Sequence, residues 1–125
     1  MPTTCVIGEA DPFIARLLWR FAEKSGMQAV HARLGQEVLE LAYQTQPGVI
    51  VLEPELPGQM RGWEAVGALR ADQAICHIPV IVCSWLEEVD AQALVGEMSG
   101  YLQKPELHYE DFVAVLKQAG VKGVK

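Results

Sequence analysis

The stretch GVIVLEPELPG, residues 48–58, decides the fold. Val49 to Leu52 form a continuous apolar run, which is what a strand covered on both faces requires. The run ends on an acid, Glu53, and passes into a turn punctuated by Pro54, Pro57 and Gly58. A second run of the same kind, IPVIVCS, occupies 78–84, and shorter ones lie at 3–8 (TTCVIG) and 100–103 (GYLQ). MQAVHA, 27–32, is more polar and reads as a strand near a sheet edge.

Helical patterns separate these runs. In DPFIARLLWRFAEKSG, Asp11 is placed to cap a helix with Pro12 at its first position, and Gly26 closes it. Ile14, Leu17, Leu18 and Phe21 follow the i, i+3, i+4, i+7 spacing of one buried stripe, with Trp19 beside it. A second helix carries Leu34, Val38, Leu41, Ala42 and Thr45 and stops at Pro47 and Gly48. The spacing predicts a third over 62–72, with Trp63, Val66 and Leu69 packed on the sheet. A fourth runs through Leu86, Val89, Ala93 and Leu94, and a fifth uses Phe112, Val115, Leu116 and Ala119. No repeat, linker or low-complexity segment interrupts the series.

Strict strand–helix alternation predicts an α/β architecture, a five-stranded parallel sheet with helices on both faces. The expected arrangement is doubly wound, with the flavodoxin-like strand order 2-1-3-4-5. All 125 residues fit a single domain. Ligands of such sheets sit beyond the carboxyl ends of the strands, at the switch point between strands 1 and 3. That rule selects Glu9, Ala10, Asp11 and Glu53, with Ser84 ending strand 4 and Lys104 just past strand 5. Carboxylates, a hydroxyl and an ammonium in such a place suit phosphoryl chemistry around a hard cation.

Composition narrows the partners. The net charge is −6 and the isoelectric point near 5.0, against a nucleic-acid surface built from clustered lysine and arginine. Cys5, Cys76 and Cys83 form no CxxC pair, and His31, His77 and His108 lack metal-ligand spacing. Neither a signal peptide nor an apolar run of about 20 residues is present, so a cytoplasmic protein is expected.

Four segments in order resemble the receiver domains of two-component response regulators, a CheY-like three-layer sandwich. DPFIARLL resembles the start of that family's first helix. PGVIVLEPELPG resembles its strand-3 segment and maps the phosphoacceptor onto Glu53. IPVIVCSW resembles the strand-4 segment and maps the phosphoryl-sensing hydroxyl onto Ser84. GYLQKP resembles the aromatic-to-lysine stretch, making Tyr101 the switch aromatic and Lys104 the lysine of the site.

The chain departs from that pattern at the site itself. Glutamate stands at the acceptor position, and the family's adjacent acidic pair reads Glu9-Ala10, while Asp11 is the cap of the first helix. The turn PGQMRG is one residue longer than the usual form, and Trp85 fills a position that is normally small and borders the site entrance. The resemblance with these changes implies a pseudo-receiver: weak Mg²⁺ binding at most, no dedicated cofactor or metal, no enzymatic activity, and a Glu53–Lys104 ion pair in the pocket. Its partner would be another signalling protein, a kinase or an output protein. A homodimer would form through helix 4, strand 5 and helix 5, or through helices 1 and 5. The alternative is a receiver still phosphorylated at Glu53 or a neighbour. A flavin or nucleotide binder at the strand ends fares worse, because no GxGxxG or GxxxxGK[ST] cradle follows strand 1.

Overall fold

Each apolar run becomes one strand of a parallel sheet in a computed structural model that describes residues 2–125. The strands are β1 (Thr4–Gly8), β2 (Gln28–Ala32), β3 (Val49–Leu52), β4 (Val80–Ser84) and β5 (Gly100–Gln103). Between and after them come α1 (Pro12–Lys24), α2 (Gly35–Thr45), α3 (Gly62–Arg70), α4 (Glu88–Val95) and α5 (Tyr109–Gln118). The sheet order is β2-β1-β3-β4-β5, all pairs parallel, the doubly wound arrangement expected from the alternation.

The period-2 geometry of a strand explains why β3 and β4 are apolar throughout. Val49, Val51, Ile81 and Cys83 face one core, with Leu18 and Ala22 of α1 and Phe112 and Leu116 of α5. Ile50, Leu52, Val80 and Val82 face the other, with Val38 and Ala42 of α2 and Val66 and Leu69 of α3. Burial also pushes the Cys5 and Cys83 thiols up to about 12, so both behave as small core residues rather than nucleophiles. No helix among the described residues is long and apolar enough to cross a membrane.

Two helices differ from the pattern expected of them. Trp63 is 41% exposed, because the stripe that α3 buries is Gly62, Ala65, Val66 and Leu69. That stripe has the 3.6 period without Trp63, which is turned onto the neighbouring face. In α4, Val89 and Leu94 are 70% and 37% exposed and Ala91 is the one buried residue. Leu86 precedes the helix, so the contact face is Ala91 with partly buried Val95, spaced i, i+4.

The turn from β3 to α3 is laid tightly over the start of α2. A Cβ on Gly35 would come within 1.9 Å of the Met60 carbonyl oxygen, and one on Gly62 within 2.2 Å of that of Glu53. Gly35→Ala is therefore expected to cost about 1–3 kcal/mol in urea unfolding, since backbone must shift to admit the methyl group. Gly67→Ala, where nothing lies within 4 Å, is the matched control, expected to be neutral or stabilising by up to about 1 kcal/mol. Equal effects at the two positions would contradict the close approach.

Candidate functional site

Parallel register carries three side chains to one point. Gly8 pairs with Leu52 and Ser84 with Gln103, so the next residues, Glu9, Glu53 and Lys104, stand one step beyond the sheet. Their amides continue the ladder: Glu53 donates to the Gly8 carbonyl at 2.9 Å, Glu9 to Ala32 at 3.0 Å and Lys104 to Ser84 at 2.8 Å. Backbone pairing thus holds all three in place before any side chain interacts.

The side chains then close on one another. Lys104 Nζ lies 2.8 Å from Glu53 Oε1 and 2.5 Å from Glu9 Oε1. Fractional exposures of 3% for Lys104, 3% for Glu9 and 7% for Glu53 make this a buried triad. The two contacts differ in kind. The one to Glu53 is an aligned hydrogen bond. The one to Glu9 is a close ion pair in which Oε1 makes no aligned hydrogen bond. The outer oxygens are satisfied by backbone: Glu9 Oε2 accepts from Asp11 N at 3.0 Å and Glu53 Oε2 from Glu55 N at 2.9 Å. Burial by itself pulls the Lys104 ammonium down, but the close contacts and charges of Glu53 and Glu9 outweigh it and hold the group above its ordinary value. Formally the triad carries one negative charge in excess.

The remaining residues singled out by sequence take other places. Ala10 and Asp11 are exposed, and Asp11 Oδ1 accepts from Phe13 N and Ile14 N at 2.9 and 3.2 Å, capping α1. Glu9, not Asp11, is therefore the acid that β1 delivers to the pocket. Ser84 is fully buried, and its hydroxyl accepts from Leu86 N at 3.0 Å. The Tyr101 hydroxyl donates to the Leu86 carbonyl, so Ser84 and Tyr101 grip the β4–α4 loop from both sides of one residue. Trp85, 57% exposed, stands with its ring centroid 5.8 Å from Lys104 Nζ, at the outer range of a cation–π contact. His31 escaped the sequence reading. Its Nε2–H donates to the Glu9 carbonyl at 2.6 Å, a link visible only once β2 lies beside β1.

Magnesium needs near-octahedral oxygen donors at about 2.0–2.1 Å, commonly one or two carboxylates with waters and phosphate. This donor set does not fit it. The inward oxygens of Glu9 and Glu53 are on an ammonium, Ala10 offers none, and Asp11 is engaged in the cap. Among the described residues no group of three His, Cys, Asp or Glu side chains is placed to hold a metal.

Residues 5–117 match the family described as Response regulator receiver domain. The polar-differentiation response regulator DivK of Brucella anthropi is 31% identical over 107 residues, covering 84% of this chain and 86% of that protein. The signal receiver domain of a signal transduction histidine kinase from Syntrophus aciditrophicus superimposes with a TM-score of 0.81 at 25% identity, over 96% of this chain and 92% of that one. The receiver domain of the sensor histidine kinase PA1611 from Pseudomonas aeruginosa, with a magnesium ion in its active-site cleft, gives a TM-score of 0.81 at 19% identity, over 96% and 99% of the chains. This last likeness is one of fold.

Proposed function

We propose that this chain, which belongs to the response regulator receiver domain family of two-component signalling, works without phosphorylation and acts by binding another protein. The observation that carries the reading is the position of Lys104 Nζ between the inward oxygens of Glu53 and Glu9. A receiver lysine that would meet an incoming phosphoryl group is already satisfied here by the chain's own carboxylates. Glu53 supplies one charge and two oxygens where a phosphorylated side chain would supply about two charges and three oxygens, so it imitates that state in part. Trp85 stands with its ring 5.8 Å from the ammonium, where a small residue would leave more room.

Such a receiver communicates through its surface, with a kinase or an output protein as partner. Val89 and Leu94 on α4 and Phe13 on α1 are turned outward, which leaves the face of α4, β5 and α5 and that of α1 and α5 both open to such a partner. The whole chain, 1–125, then serves as one receiver-like unit. The test is incubation of the full chain with Mg²⁺ and acetyl phosphate, then with beryllofluoride, read by intact mass and by amide shifts. No added phosphate and no saturable shift at Glu53, Ser84 or Lys104 is the expected result. Stoichiometric phosphate at Glu53 or a neighbour would overturn the reading in favour of a working receiver.

A further inference from the structure

The chain has 16 acidic residues against 10 basic ones, yet three of its five arginines line one groove. The groove runs between α1 and the edge strand β2, encloses about 580 Å³, and is walled by Arg16, Trp19, Arg20, Glu23, His31 and Arg33. Its volume falls within the range of about 300–1,000 Å³ typical of small-molecule sites. Arg16 and Arg20 stand four residues apart on α1 and so share a face, while Arg33 directly follows the end of β2. None of the three guanidiniums forms an ion pair among the described residues, whose salt bridges all involve Lys104 or His108. Three like charges gathered in this way against the single carboxylate of Glu23, with which none of them forms an ion pair, repel one another until an anion joins them. The guanidinium fork matches phosphate oxygens two at a time. Trp19, half-buried in the wall, adds an aromatic surface against which a planar ring can lie.

We propose that the groove between α1 and β2 binds a small phosphate-bearing molecule with a planar ring, a nucleotide, and that His31 carries its occupancy to Glu9. The His31 ring lines the groove while its Nε2–H holds the Glu9 carbonyl at 2.6 Å, and the Glu9 side chain touches Lys104. One ring therefore separates the ligand from the buried triad. An acidic protein segment fits less well. It would meet a body of net charge −6 over its whole length, whereas a small ligand feels the local field within a Debye length of about 8 Å.

The test is a series of ¹H–¹⁵N correlation titrations of the full chain with adenosine and guanosine 5′-monophosphates, the free nucleosides, inorganic phosphate and a glutamate-rich peptide. A mononucleotide is expected to shift the Trp19 indole N–H and the amides of Arg16, Arg20, His31, Glu9 and Lys104 saturably. Nucleoside, inorganic phosphate and peptide should each bind at least about tenfold more weakly, for lack of one half of the recognition. The variant R16A/R20A should weaken mononucleotide binding by at least about tenfold with an unchanged melting temperature, since both side chains are exposed. The site is overturned by absence of saturation with both mononucleotides, by equal binding of nucleoside, phosphate or peptide, or by undiminished affinity in the double variant. Shifts confined to the groove, with Glu9 and Lys104 unmoved, would overturn the coupling through His31.

Discussion

Lys104→Met is expected to lower the folding free energy by about 3–5 kcal/mol, because removing one partner leaves the others as uncompensated buried charges. Glu9 and Glu53 both stay almost fully buried, and Glu9 Oε1 has no hydrogen bond to fall back on. Methionine fills the space of the lysine stem, so the loss reports charge rather than a cavity. Replacing both glutamates by glutamine in the same protein, E9Q/E53Q/K104M, should recover most of it, since a neutral triad has no charge left to desolvate. Urea unfolding at neutral pH decides the matter. A loss below about 1 kcal/mol for K104M would mean that the triad is solvated in solution, as exposed pairs are.

The pH dependence has a definite sign. The folded state holds the Lys104 ammonium above its ordinary value of 10.5. A raised pKa of this kind contributes stability that is fully present below the unfolded value and is lost as pH climbs through the folded one. The stability difference between wild type and K104M should therefore be level from neutral pH to about 10 and shrink above it. A difference that shrinks on mild acidification instead would place the titration on the carboxylates.

The second large effect is a gain. A10D/E53D is expected to bind Mg²⁺ saturably and to accept phosphate from acetyl phosphate, and wild type is expected to do neither. Ala10 is exposed and follows Glu9 directly in the chain, so an added carboxylate needs no repacking and supplies the second acid of the adjacent pair. Shortening Glu53 by one methylene withdraws its oxygen from Lys104 Nζ, now 2.8 Å away, and opens room for a phosphoryl group between them. Metal titration followed at Trp85 and intact mass after phosphodonor treatment are the readouts. A folded double variant that still takes no metal would move the block to Trp85 or to the turn of residues 53–61. The companion single changes separate the terms: A10D tests the donor alone and E53D the freed lysine alone.

Much of the molecule was legible because strand and helix periods are local properties. The uninterrupted Val49–Leu52 and Val80–Cys83 runs announce strands buried on both faces, and the structure buries every one of those residues. Trp63 and α4 were misread for one physical reason. Hydropathy records which side chains prefer burial, and helix phase against the sheet decides which obtain it. At α3 that phase is set by Gly62 against the Glu53 carbonyl, where no larger residue fits. At α4 the helix begins at Glu88, so Leu86 lies outside the stripe to which its spacing seemed to assign it.

The site divides along the same line. Chain order and strict alternation fix a parallel sheet, the strand ends at which chemistry collects, and the presence there of Glu9, Glu53, Ser84 and Lys104. The order 2-1-3-4-5 is one of the doubly wound arrangements that alternation allows, and the folded sheet selects it. Tertiary structure alone decided which groups meet. Glu9 turned inward onto Lys104 while Asp11, two residues on, turned outward to cap α1. Ser84 took the Leu86 amide, and His31 reached the Glu9 carbonyl across two paired strands. Those choices depend on distances of under 3.5 Å between residues as many as 95 positions apart in the chain, Glu9 and Lys104, and such distances exist only after the sheet has formed.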